Sequence, residues 1–193
     1  MEGINELKQR GLENFILLVL GVNPHRKISQ LHLEKEVFLL WNFDSKYVHQ
    51  YLNFIKHYMG PFSKEIQETI FNPVYLEGDW NYEPPKNKDN LSGGYVYLTE
   101  KGISDYETLI EAIKSDKNED MMHLLAGITI VRNLYDKLTL EELLLLIYDT
   151  YPDYTEKSIV SKSIEQNKEK LATNLLSKGL IDKKRYASLV AGD

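Results

Sequence analysis

The spacing of apolar residues predicts helices through most of the first seventy residues. Residues 4–20 repeat apolar side chains at helical intervals and become apolar nearly all round toward their end, which indicates a largely buried helix. A second helix is predicted over 30–42, with Ser29 as its N-cap. The aromatic-rich stretch 45–58 lacks a clean period and is interpreted as a helix followed by an extended strand. A third helix is predicted over 62–71.

The period changes after this third helix. Residues 75–82 and 95–98 are short, Tyr- and Val-rich segments separated by a cluster of Pro, Asn and Gly, which predicts a β-hairpin with a long polar loop. Residues 99–102 then lead into another helix. The order of three helices, a hairpin and a helix is that of a winged helix-turn-helix with a small β-hairpin wing.

A second, helical module is predicted after the charged stretch 114–120. We therefore divide the chain into a winged-helix-like domain, 1–116, and a helical subdomain, 117–193, and expect a mainly α (α+β) protein. Residues 139–142 form a capping-box pattern that opens the apolar run 143–148. This run is more apolar than a solvent-facing helix tolerates, which either a homodimer or burial against the first module would explain.

Charge and composition narrow the classes of function. The formal net charge is −6, and residues 65–155 hold eighteen acidic against seven basic side chains. Non-specific duplex binding depends on Lys and Arg at phosphates, so this acidic middle disfavours it. The chain has no cysteine, which excludes disulfides, thiol nucleophiles and Cys-ligated metals. Its longest apolar run is far too short to span a membrane, and the opening residues do not resemble a secretory signal. We therefore expect a cytoplasmic protein without membrane contact.

A family resemblance is carried by two stretches of the chain, 27–41 (KISQLHLEKEVFLLW) and 54–70 (FIKHYMGPFSKEIQETI). They resemble the uncharacterised YwgA-like winged-helix proteins of bacteria and archaea and, more distantly, the Panacea (SocA-like) antitoxin domain. Met59 departs from that pattern because it separates Tyr58 from the Gly-Pro-Phe-Ser junction. The segment 95–102 (YVYLTEKG) resembles the strand-to-helix ending of many winged-helix domains, and 138–158 resembles a helical segment beside the YwgA-like core.

The resemblance implies a non-enzymatic regulatory or antitoxin-like role carried out by protein binding, and it supplies no catalytic residue. The residues themselves agree with this interpretation. None of the five histidines has metal-ligand spacing, and no Ser has a positioned His or Asp partner, so we predict no enzyme activity, metal or cofactor. An enzymatic hypothesis would need a cleft that gathers His49 or His57 with two carboxylates.

The candidate interaction residues lie on the third helix and on the hairpin. Aromatic residues there can stack on bases or anchor a protein interface, and we expect Trp80 and Tyr82 to be exposed at the mouth of the long loop. In a DNA-binding winged helix, the helix before the wing needs basic or amide side chains, yet residues 62–71 are acidic overall. We therefore favour an adaptor- or antitoxin-like protein that binds a basic protein partner, with a DNA-binding transcriptional regulator as the alternative. The candidate residues are Lys64, Gln67, Glu68, Trp80, Tyr82, Lys86 and Lys88.

Overall fold

The protein is mainly helical with a small antiparallel sheet. The computed structural model describes residues 2–43, 46–86 and 92–191. The chain forms two compact units: unit 1 comprises residues 1–53 and 63–133, and unit 2 comprises residues 54–62 and 134–193. This division differs from the boundary predicted at residue 117, because most of the helix after that boundary belongs to unit 1.

Helices dominate the secondary structure, and the strands are short. In chain order, the elements are α1 (Glu2–Gly21), β1 (Ile28–Ser29), α2 (Gln30–Asn42), α3 (Lys46–His49), β2 (Ile55–His57), β3 (Gly60–Phe62), α4 (Lys64–Phe71), β4 (Trp80–Glu83), β5 (Tyr95–Leu98), α5 (Glu100–Asp116), α6 (Glu119–Tyr135), α7 (Leu140–Thr150), a 3-10 helix (Pro152–Thr155), α8 (Ser161–Gln166), α9 (Lys168–Ser177) and α10 (Lys183–Ala191). Strands β1, β5 and β4 form one antiparallel sheet in that order, and β2 pairs with β3.

Several predicted elements are confirmed together with their capping groups. Helix α2 follows Ser29, whose Oγ accepts a hydrogen bond from the His32 amide at 3.1 Å. The hairpin pairs Trp80 with Leu98 and Glu83 with Tyr95. Two short segments were not anticipated. Strand β1 is only two residues long, and residues 60–62 pair with β2 as a strand, so α4 begins at Lys64 and not at 62.

The core of unit 1 forms around α1, which packs against α4, α5 and β5. The residues from Phe15 to Leu20 are all buried, as their continuous apolarity predicts. Gly21 allows the close approach of α5, because a Cβ there would lie 2.1 Å from the Tyr106 ring. The absence of a side chain at this position therefore sets how closely the two helices pack.

Helix α2 is buried on nearly all sides, including three charged residues in a row, Glu34, Lys35 and Glu36. Arg132 Nη1 lies 2.6 Å from one Glu36 oxygen, and Lys35 Nζ lies 2.9 Å from Glu34. Burial lowers the pKa of Lys35 below its ordinary value, although the neighbouring Glu34 opposes this shift. The sequence predicted only one apolar face for this helix, because the partners that allow charged side chains to be buried are distant in sequence.

The segment Thr99–Gly102 connects the start of α5 to the turn before β4. It is the Thr-Glu-Lys-Gly pattern noted in the sequence. The Thr99 amide donates to the Asp79 carbonyl at 2.8 Å, while Thr99 Oγ1 accepts from the Gly102 amide at 3.1 Å. Lys101 pairs with the Asp79 carboxylate, whose pKa is nevertheless raised because its burial outweighs this pairing. At Gly102 a Cβ would lie 1.9 Å from the Asp79 carbonyl oxygen, so the contact requires glycine.

In unit 2, α7 packs against α8, α9 and the 3-10 helix. The apolar run of α7 is buried at Leu143, Leu144, Leu145, Ile147 and Tyr148. The predicted capping box is confirmed, with Thr139 and Glu142 each bonding to the other's backbone amide. Burial already accounts for the apolar run of α7, so this run gives no support to a dimer, and a homodimer through α7 remains only a prediction.

We predict that Gly102→Ala strongly destabilises unit 1. The new Cβ meets a backbone carbonyl that cannot move without breaking the Thr99 contacts, so we expect a loss of about 3 kcal/mol or more. Both tryptophans, Trp41 and Trp80, lie in unit 1, and urea unfolding followed by tryptophan fluorescence reports that unit. Ser104→Ala, at an exposed position of the same helix, is the control and should shift the free energy of unfolding by less than about 0.5 kcal/mol. Equal effects of the two variants would contradict the tight contact.

The buried pair of Glu36 and Arg132 should behave as a unit. Arg132→Leu leaves the Glu36 carboxylate buried without its guanidinium partner, and we expect a loss of about 3–5 kcal/mol. The double variant Glu36→Leu with Arg132→Leu removes both charges and should recover most of that loss. The measurement is a double-mutant cycle of urea unfolding free energies, and additive losses would rule out the coupling.

Candidate functional site

The outer face of α4 brings together three of the residues predicted from sequence. Lys64 and Glu68 are exposed and form an ion pair with Nζ and Oε1 3.0 Å apart, and Gln67 is half-buried on the same helix. Ile66, Thr69 and Ile70 form the buried side of the helix. This amphipathic arrangement follows from the four-residue spacing of the two isoleucines.

Trp80 does not belong to this outer face, and the prediction that it is exposed is wrong. Its side chain is buried, and its indole Nε1 donates to the Ile70 carbonyl at 3.1 Å. The physical reason is the pleat of β4: residues 80 and 82 point to the same side of the strand, and that side packs beneath α4. Tyr82 is half-buried on the same side.

Phe71 and Tyr82 form an aromatic pair at the end of α4. Their ring centroids lie 4.6 Å apart at an interplanar angle of 52°, and Phe71 is 41% exposed. Tyr82 Oη donates to the Gly93 carbonyl at 2.9 Å, and partial burial raises the pKa of this phenol. We call Lys64, Gln67, Glu68, Phe71 and Tyr82 the aromatic surface.

Sequence reasoning missed Phe71, although its position one residue after Ile70 turns it away from the buried face of the helix.

The loop end of the hairpin holds a second neutralised lysine. Lys27 pairs with Glu83, and its ammonium lies 4.3 Å from the centroid of the Tyr97 ring. The hydrogen bond from Lys27 lowers the pKa of Glu83 and raises that of Lys27. Lys86 is exposed just beyond β4, whereas Lys88 lies outside the described residues. Lys64 on the aromatic surface and Lys27 on the opposite face of the hairpin are thus already paired with carboxylates.

A groove of about 480 Å³ adjoins the aromatic surface between α1, the end of α4 and residues 72–75. It is lined by Asn5, Glu6, Gln9, Glu68, Asn72, Val74 and Tyr75. Val74 is 63% exposed, so the groove combines an apolar side chain with carboxylates and amides. No sequence signal links its two sides, because the residues that form it are about sixty positions apart.

Glu13 holds one wall of this groove in place. Its buried carboxylate accepts hydrogen bonds from the backbone amides of Val74, Tyr75 and Leu76 at 2.9, 2.8 and 2.7 Å. Gln9 donates to the same carboxylate at 2.7 Å. Three consecutive amides on one anion form a strong, charge-assisted set of contacts. Glu13 therefore ties residues 74–76 to α1.

The histidines considered for catalysis have structural partners. His49 Nε2 donates to the Trp41 carbonyl at 2.5 Å, and the two rings stack with centroids 4.6 Å apart. In unit 2, the His57 ring stacks on Phe62 at 4.6 Å. Across residues 2–43, 46–86 and 92–191, no group of three or more His, Asp or Glu side chains is arranged to hold a metal ion.

Comparisons with known proteins leave the family of this chain open. No protein-family model matches it, and neither a curated protein nor a solved structure shows significant similarity. Within the part of the chain that the structure describes, no helix is both long and apolar enough to cross a bilayer.

Glu13→Gln should destabilise unit 1 and loosen the groove. The amide cannot match a carboxylate as acceptor for three backbone N–H groups, and we expect a loss of about 2–3 kcal/mol in the urea unfolding free energy. Glu111→Gln makes the same change at an exposed position of α5 and should shift the free energy of unfolding by less than about 0.5 kcal/mol. A Glu13 variant as stable as this control would show that the three contacts contribute little.

Proposed function

We propose that this protein is a non-enzymatic regulatory protein of winged-helix type that acts by binding another protein, in the manner of an adaptor or antitoxin. The aromatic surface is the binding site in this proposal. The single observation that carries it is the combination, on the outer face of α4, of a neutralised lysine with a solvent-exposed Phe71.

The arrangement of unit 1 supports the winged-helix assignment. The elements of unit 1 follow the order of that fold: α1, β1, α2, α4, β4 and β5. Helix α3 and residues 54–62 are inserted between α2 and α4. The first strand pairs with the last, and the last pairs with the middle strand. Under this assignment, helix α4 corresponds to the helix that enters the major groove in DNA-binding members of the fold.

The chemistry of α4 favours a protein over DNA as its ligand. A groove-reading helix places unpaired basic and amide groups toward phosphates and bases. In this chain Lys64 is paired with Glu68, and Lys27 at the loop end of the hairpin is paired with Glu83. An exposed Phe71 in tilted contact with the Tyr82 ring suits the apolar centre of a protein interface, where aromatic anchors contribute most of the binding energy.

The rim of the surface indicates the charge of the partner. Glu6 lines the adjoining groove beside Val74, and residues 65–155 hold eighteen acidic against seven basic side chains. A partner with lysine or arginine around an apolar centre would complement this potential and associate faster at low ionic strength. We therefore propose a basic protein partner.

Phe71→Glu should abolish partner binding without unfolding the protein, because the side chain is already 41% exposed. The experiment captures partners from a lysate on the wild-type chain, purifies the captured protein and measures its Kd for each variant by calorimetry. We expect Phe71→Glu to weaken binding about tenfold or more, since a charge would replace the anchor. Phe43→Glu makes the same change at a 67% exposed position after α2; it is the matched control and should retain binding. Equal affinity of all three proteins would place the interface elsewhere.

The DNA alternative is tested separately with a mixed-sequence duplex. Fluorescence anisotropy at low and at physiological salt should show no binding, because Lys64 on α4 is paired with Glu68 and residues 65–155 are strongly acidic. Salt-sensitive binding that a Lys64→Glu, Lys86→Glu double variant abolishes would replace our proposal with a DNA-binding transcriptional regulator.

A further inference from the structure

The groove beside the aromatic surface has one wall without free backbone donors. This wall is the segment 72–76, whose backbone N–H groups are all used within unit 1. The Asn72 amide donates to the Glu68 carbonyl at 2.8 Å, and Pro73 has no N–H group. The next three amides all donate to the Glu13 carboxylate. A ligand that approaches this wall therefore meets no backbone donor.

The same wall keeps its hydrogen-bond acceptors. Among the described residues, none donates to the carbonyl oxygens of residues 72–75. Across the groove, Gln9 commits its amide nitrogen to Glu13 at 2.7 Å, which leaves its Oε1 as an acceptor. Backbone carbonyls need a donor from protein, water or ligand. The groove thus favours an occupant that donates hydrogen bonds.

Glu6 gives the groove an unbalanced negative charge. Its side chain is exposed and lines the groove, and no basic side chain of the described residues pairs with it. Glu68, the other carboxylate of the lining, is already paired with Lys64. Among the described residues, those that line the groove include no lysine, arginine or histidine. A cation would therefore find an opposite charge here without displacing an existing partner.

The Tyr75 ring adds a surface that accepts a guanidinium. Tyr75 lines the groove and is half-buried. The Cζ atom of Arg10 lies 4.4 Å from the centroid of this ring, which is the geometry of a cation–π contact. Arg10 covers one face of the ring only. The contact within the chain shows which cation this ring suits.

We propose that the groove binds an arginine side chain of the basic protein partner, an inference that rests on the proposed function. A guanidinium has five N–H donors and no acceptor, so it matches a wall that offers acceptors alone. Its charge complements Glu6, and its planar group can stack on Tyr75 while its apolar stem packs on the exposed Val74. The groove volume of about 480 Å³ lies within the range of about 300–1,000 Å³ that is usual for ligand pockets.

The test uses the full chain and the peptide acetyl-Gly-Arg-Gly-amide, followed by ¹H–¹⁵N NMR. The peptide should shift the side-chain amide signals of Asn5, Gln9 and Asn72 in a saturable manner. The citrulline analogue has the same shape without the charge, and the lysine analogue has only three donors. Each should bind at least about threefold more weakly, as expected for an exposed ion pair. Glu6→Gln should weaken arginine binding to the same extent, whereas Glu111→Gln, at an exposed position of α5, should not.

Equal affinity for the arginine and citrulline peptides would overturn the proposal, as would equal affinity for arginine and lysine. Shifts that Glu6→Gln leaves unchanged would also overturn it. The captured partner separates this inference from the proposed function. Partner affinity that falls in Phe71→Glu but not in Glu6→Gln would keep the proposed function and overturn the arginine site. Peptide binding that depends on Glu6, with partner affinity unchanged in Phe71→Glu, would support the arginine site and contradict the aromatic surface.

Discussion

Burial of Trp80 beneath α4 is the constraint on which the arrangement of the candidate site depends. The indole fills the space under the helix and donates to the carbonyl of Ile70, so Ile66 and Ile70 must face the sheet. A buried Trp side chain contributes both a large apolar area and a hydrogen bond that has no substitute in the core. Once that side is buried, Lys64, Glu68 and Phe71 have only the outer side available. The chemistry of the exposed surface is thus a consequence of the core.

Buried polar groups connect elements of unit 1 that apolar packing alone would leave less well defined. Arg132 of α6 reaches Glu36 of α2, and Glu13 of α1 collects three amides of the segment after α4. Each group is costly to bury unless its partner is correctly placed. Misdocked arrangements of these helices would leave a charge without a partner, which penalises them strongly. Apolar burial supplies the stabilisation, while these contacts select one packing.

Local sequence determined the elements that depend on local interactions. Most helices and the hairpin could be located from local signals: the period of apolar residues, the Ser29 cap, the capping box at Thr139 and the Asn- and Gly-rich loop. These signals are local because capping and amphipathicity act over three or four residues. Gly102 was part of a recognisable pattern, although its reason, the carbonyl of Asp79 against it, lies more than twenty residues away.

Tertiary structure alone decided the rest. The exposure of Trp80 was predicted wrongly because the sequence shows that residues 80 and 82 share a side of β4, but not which side α4 covers. The burial of Glu34, Lys35 and Glu36 was likewise hidden, since a charge is buried only where a distant partner meets it. The groove follows the same rule. A surface is defined by what remains uncovered, and that depends on contacts between residues far apart in the chain.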